Sequence, residues 1–350
     1  MLAPVAKPLR VALTVDPEIQ VPPLHYGGIE RIVDMIARGL TARGHFVTLF
    51  AHPGSTCPVE RVAWTGQSSV SSSDSLRNAA ILARHVIGGG FDVVHSFSRI
   101  AYLAPLLPLP IPKLMSYQRE ISRKTTGLAV RLSRGTLEFT AISKQMMDTS
   151  PLIGRWHLVP NGVPLDTYTF RGEVNQDAPL VFLGRVEEIK GPHLAIDVAR
   201  RSGRRLVIAG NVPAEHQAWF EANVAPHLDG ETIRYVGPVD DEQKNSLLGG
   251  AAALLMPILW EEPFGIVMAE AMACGTPVLG LRRGAVPEVV ATGVTGFVVG
   301  TVDELVEAVG SVPKLSRHEA RDRVERYYSS NAVTEGYLSL YRQLRERVAG

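Results

Sequence analysis

The chain has 350 residues, 45% of them apolar and 20% charged, and a formal charge of +1. That composition fits a soluble protein with two domains of ordinary size; it excludes a disordered or fibrous chain, and the near-neutral charge excludes bulk attraction to nucleic acid. The two cysteines, Cys57 and Cys274, form neither a disulfide framework nor a zinc cluster and fit a reducing cytoplasm.

The N-terminal stretch MLAPVAKPLRVALTVD lacks the long apolar core of a signal peptide. RVALTVD reads as a buried strand, Gly27 to about Arg43 as a helix, and HFVTLFA as the next strand. The serine-rich piece at 68–75 has no apolar period and is expected to be a surface loop. FDVVHSF, KLMSYQ and EFTAISK read as further strands. Between them, LAPLLPLPIPKL at 103–114 is too short and too rich in proline to span a membrane. After HLVPNGV and a turn-rich linker near 160–178, the rhythm restarts with LVFLGRV, RRLVIAGN, IRYVGPV, AALLMPI, PVLGL and GFVVG. Strands alternating with helices predict an α/β protein of two doubly wound parallel-sheet domains.

Several side chains fall beyond strand ends, where open α/β sheets bind ligands. In FLGRVEEIKG, Arg185 and Lys190 follow a strand and suit a diphosphate, since arginine grips oxygens in pairs and lysine acts as a point charge. In EEPFGIVMAEAM, Pro263 keeps Glu262 in a loop, while Glu270 lies in the helix that follows. Eight residues of helix rise about 12 Å, too far for the roughly 5–9.5 Å between glycosidase carboxylates, so the pair reads as two parts of a binding site. At the helix start, the backbone of Phe264, Gly265 and Ile266 offers donors to phosphate, and the two carboxylates suit sugar hydroxyls. Gly27 and Gly28 open the first helix and allow close approach of a phosphate. His95, Gln118 and Ser143 each follow a strand of the first half and are candidates on the acceptor side. The stretch 119–134 carries Arg119, Arg123, Lys124, Arg131 and Arg134, a solvated helix face, or else a surface for anionic lipid or for an anionic acceptor.

Taken together, GGIERIVDMIARGLTARGHFVTLF, DVVHSF, FTAISK, VPNGV, FLGRVEEIKGPHLAI, LVIAGN, IRYVGPV, EEPFGIVMAEAMACGTPVLG, GAVPEVV and TGFVV resemble family 4 of the nucleotide-sugar-dependent glycosyltransferases, over essentially the whole chain. The resemblance implies the GT-B architecture, two Rossmann-like domains facing a central cleft. Residues 1–160 would form the acceptor side, with a helix at about 331–350 packing back on it, and residues 161–330 would bind the nucleotide sugar. It implies Arg185 and Lys190 on the donor diphosphate, Glu262 on the transferred sugar and Glu270 on the ribose. Val236 and Gly237 fall at the base and Gly28 beneath the phosphates; His95 is a candidate for orienting the acceptor.

The implied activity is a retaining, metal-independent hexosyltransferase that uses a UDP-sugar as co-substrate, needs no cofactor and acts on a glycan, lipid-linked or small-molecule acceptor. It would work in the cytoplasm or at the inner face of the membrane. Relatives carry a histidine where this chain has Gln118, so a general base at that place is not expected. A sugar-nucleotide epimerase would share the grip but need further acid and base groups; a non-catalytic sugar-nucleotide sensor would share every binding residue.

Overall fold

The computed structural model describes residues 7–24, 27–118, 121–150 and 152–349. The chain divides into two compact units, residues 1–161 with 330–350, and residues 162–329.

The first unit is built on a seven-stranded sheet of β1 (Arg10–Thr14), β2 (Phe46–Ala51), β3 (Glu60–Ala63), β4 (Val93–Ser96), β5 (Lys113–Tyr117), β6 (Leu137–Ala141) and β7 (Trp156–Leu158). The order is 3-2-1-4-5-6-7 and every pairing is parallel. Its helices are α1 (Gly28–Ala42), α2 (Ser72–Val86), α3 (Arg123–Ser133) and α4 (Lys144–Thr149). Apart from Arg10 the central strands are buried along their length, and they are mainly apolar, with His95, Lys113, Ser116 and Glu138 among the enclosed polar exceptions.

The serine-rich stretch departs from the expected loop. Ser71 caps α2 by accepting from the Asp74 amide, so Ser72–Ser75 form the first turn. Serine and aspartate are poor in helix interiors but favoured at this end, where free amides need acceptors.

The second unit carries β8 (Leu180–Leu183), β9 (Leu206–Ala209), β10 (Ile233–Tyr235), β11 (Ala253–Met256), β12 (Val278–Leu281) and β13 (Gly296–Val299) in a parallel sheet of order 10-9-8-11-12-13. Its helices are α5 (Pro192–Arg201), α6 (Gln217–Asn223), α7 (Asp241–Gly249), α8 (Ile266–Ala273), α9 (Val286–Val289), α10 (Val302–Val309) and α11 (Arg317–Tyr327). Leu180, Phe182, Ile196, Leu206, Ile208, Leu255 and Leu279 are almost fully enclosed in its core; burying each large side chain contributes about 1.5–3 kcal/mol. In both sheets the order reverses between the first and fourth strands of the unit. That reversal opens a crevice at the strand ends.

Helix α12 (Ser330–Ala349) belongs to the first unit. It buries Tyr337 and Tyr341, and Tyr341 Oη lies 2.6 Å from His95 Nδ1. His95 Nε2 lies 2.7 Å from Ser116 Oγ, which in turn meets Thr140 Oγ1 and Tyr337 Oη. Further along, Arg347 donates twice to the buried Glu138, which also takes a bond from His157. At Gly39 of α1 a Cβ would stand 2.4 Å from Thr334 Oγ1, so glycine lets the two helices close up.

Candidate functional site

In the second unit the loops after β8 and β11 meet at the point where strand order reverses. After β8 the chain passes Arg185, makes one tight turn at Glu188–Lys190 and reaches Gly191 at φ 75°. A Cβ there would lie 2.1 Å from the Pro257 carbonyl oxygen, so only glycine allows the loops to touch. The Leu259 amide then donates to the Ile189 carbonyl.

Arg185 is 37% exposed and lies 2.8 Å from Glu187, which is buried and also paired with His216 at 3.1 Å. Lys190 extends over the Trp260 ring, 4.5 Å from its centroid, and donates to Glu262 Oε2 at 2.5 Å. The Trp260 indole N–H reaches the same oxygen at 3.2 Å. The next loop fixes the backbone of Glu262: its carbonyl accepts from Ala285, and a Cβ on Gly284 would come within 2.2 Å of that oxygen.

Gly265, at φ 73°, turns the chain into α8. That helix is apolar on every side and buried from Met268 to Ala273, and within it the Glu270 carboxylate is 6% exposed. Burial of a carboxylate demands partners. Lys244 of α7 at 2.7 Å and the Tyr168 hydroxyl at 2.6 Å both donate to Glu270 Oε1. Both glutamates thus have their protein partners on a single oxygen. Among the described residues, Glu262 Oε1 and Glu270 Oε2 take no bond. Met268 donates to the Gly265 carbonyl, while the amides of Ile266 and Val267, at the start of α8, have no preceding helical carbonyl to reach and lie close to the two glutamates in sequence.

Phe264 is buried against Tyr328, with ring centroids 5.5 Å apart. Val236 is 41% exposed at the end of β10; its amide bonds to Ile208, and the Gly237 carbonyl accepts from Gly210. Lys244, Tyr168, Trp260, Glu187 and His216 escaped the sequence reading. Trp260 and Glu187 had a local signal, standing two residues before Glu262 and two after Arg185.

In the first unit, Gly28 is the exposed first residue of α1. A cavity of about 340 Å³ sits at the ends of β1, β4 and β5, lined by residues including Asp16, Ser98, Arg99 and Gln118. Gln118 Oε1 accepts from Asn161 at 2.8 Å.

Two candidates are corrected. His95 does not project from a strand end: it lies within β4, fully buried, with both ring nitrogens bonded, and burial pulls its pKa down to about 3. It is a neutral core residue. Ser143 is a helix cap, 2% exposed, accepting from the Met146 amide. Of the basic stretch, Arg123, Lys124, Arg131 and Arg134 are exposed; Arg119 lies outside the described residues.

Among the described residues no cluster of three or more histidine, cysteine, aspartate or glutamate side chains is placed to hold a metal ion. Among the same residues no helix is long and apolar enough to cross a membrane.

Residues 26–167 match the family model of Glycosyltransferase Family 4, and residues 169–329 that of glycosyl transferases group 1. An alpha-maltose-1-phosphate synthase of Mycobacterium tuberculosis is 30% identical over 299 residues, 75% of this chain and 76% of that protein. A phosphatidyl-myo-inositol mannosyltransferase of the same organism is 27% identical over 322 residues, 83% of this chain and 82% of its own. The crystal structure of AviGT4, a glycosyltransferase involved in avilamycin A biosynthesis, is 26% identical and superposes with a TM-score of 0.75, covering 97% of this chain and 98% of that one. With two parallel α/β units and matches along both, the chain belongs to glycosyltransferase family 4 and has the GT-B fold.

Proposed function

We propose that the chain moves a hexose from a nucleoside diphosphate sugar, with a UDP-sugar as first expectation, to a glycan, lipid-linked or small-molecule acceptor, with retention of the donor's anomeric configuration. The observation that carries this reading is the meeting of Lys190 and Glu262 between the β8 and β11 loops, the first of which also carries Arg185 and the second of which leads into α8. Cations and helix amides favour an anion, and two half-engaged carboxylates favour hydroxyls. A sugar nucleotide presents a diphosphate between two polyols.

In this reading Arg185, Lys190 and the amides of Gly265 and Ile266 hold the diphosphate. Glu262 reads the sugar and Glu270 the ribose, with the base near Val236 and Gly237. As the bond from the anomeric carbon to the diphosphate breaks, charge grows on the departing oxygen, and groups already aimed there stabilise it without reorganising. The departing diphosphate takes the acceptor's proton, since the Gln118 amide is no base and His95 is enclosed. Arg185 and Lys190 supply the compensating charge, so the proposal assigns no metal and no cofactor.

The test is a thermal-shift panel of UDP-, GDP- and ADP-sugars, in which a ligand at a hundredfold its Kd should stabilise by about 2.7 kcal/mol. NMR of the product formed from the best ligand then reads the anomeric configuration. A panel in which no sugar nucleotide shifts the transition would overturn the reading, and an inverted product would overturn its stereochemistry.

A further inference from the structure

Helix α3 turns a mixed face outward. Thr126, Ala129 and Ser133 are buried, while Leu128 and Leu132 are 60% and 45% exposed. Lys124, Leu128, Arg131 and Leu132 follow the spacing i, i+4, i+7, i+8, so they form one stripe on the outer side. Arg123 and Arg134 are exposed at its two ends. Residues 121–137 contain no aspartate or glutamate; Glu120 precedes them in sequence, and the next acid, Glu138, is buried under Arg347 and His157. A helix face turned to water is ordinarily polar and of mixed sign. Leucines flanked by cations alone are the pattern of a helix lying in a lipid interface.

We propose that this face docks the chain on an anionic membrane surface. Leu128 and Leu132 would enter the boundary between headgroups and acyl chains, while Lys124, Arg131, Arg123 and Arg134 would meet the lipid phosphates. The charge of the whole chain is only +1, so the attraction belongs to this face and not to the protein at large. Thr125, in the first turn of the same helix, lines the 340 Å³ cavity, so the docked helix would also border that opening. The inference goes beyond the donor chemistry proposed above and does not depend on it.

Co-sedimentation of the full chain with vesicles tests the docking without reference to activity. Wild type should bind vesicles of phosphatidylglycerol mixed with phosphatidylcholine and stay in solution with phosphatidylcholine alone. Lys124→Glu with Arg131→Glu should lower the partition coefficient about tenfold or more. Leu128→Ser with Leu132→Ser should lower it by a similar factor while leaving retention on heparin unchanged. Circular dichroism checks folding of both double variants, and Arg131→Gln and Leu128→Ser singly provide milder steps in the same directions. Wild type remaining in solution with anionic vesicles would overturn the proposal. So would a leucine variant that binds like wild type, which would mark the face as a site for a soluble polyanion.

Discussion

Lys190 Nζ and Glu262 Oε2 lie 2.5 Å apart, joining two loops whose residues are 72 positions apart in sequence. Because each orients the other, their contributions to donor binding should not add. Lys190→Ala and Glu262→Gln, measured singly and together against a sugar nucleotide, should show a coupling of about 0.5–3 kcal/mol. Losses that sum to within about 0.5 kcal/mol would mean that the contact plays no part in binding.

The two glutamates should separate by ligand. Glu270→Gln should weaken the bare nucleoside diphosphate and the sugar nucleotide alike, by about 1–3 kcal/mol, since both present a ribose. Glu262→Gln should weaken only the sugar nucleotide. Calorimetry with both ligands on both variants gives the comparison, and equal losses for the two ligands in the Glu262 variant would remove that residue from the sugar.

Gly265→Ala should damage the site without touching a charged group. At φ 73° a Cβ is strained, and it would stand 2.8 Å from Met268 Cε and 3.2 Å from Glu262 Cγ. A left-handed alanine costs about 1–2 kcal/mol before any repacking. The transition temperature should fall and donor affinity should drop with it; a variant with wild-type values for both would show that this turn does not set the position of Glu262.

Activity should survive a chelator, because the assigned charges are side chains and helix amides. Assay with excess EDTA checks this, and a loss restored by magnesium or manganese would contradict the assignment.

His95 makes a prediction about acid. Its folded pKa, about 3, lies below the usual histidine value, so the unfolded chain binds the proton more readily. Its contribution to stability is therefore present above about pH 6.5 and is lost as pH falls toward 3, at about 1.4 kcal/mol per pH unit. Between pH 7 and 5 wild type should lose stability more steeply than His95→Asn, which is weaker at both. Parallel pH profiles in calorimetry would mean that the ring is not held neutral.

The parallel strands were legible as elements because a sheet covered on both faces is built mainly from apolar runs; their order was not read from the sequence. The proline rule likewise put Glu262 in a loop and Glu270 in a helix, where they are found. His95 was not legible: a histidine inside DVVHSF looks the same whether it faces a ligand or a core, and the tyrosine that decides the matter is 246 residues away. Lys244 stands 26 residues before Glu270, and nothing in DEQKNSLLG announces that the lysine turns inward. Ser143 shows the converse, a polar residue after a strand whose side chain caps the short helix that follows.

The return of α12 has a consequence for biosynthesis. When a ribosome has released residues 1–329, all seven strands of the first sheet and the whole second unit have been made, but Tyr337, Tyr341 and Arg347 have not. His95, Ser116 and Glu138 then lack partners that they have in the finished molecule. The second unit can close during translation, whereas the first waits, with buried polar groups open to solvent, for a segment synthesised after its neighbour is done. A chain truncated after residue 329 should therefore resist protease across 162–329 and be cut within 1–161.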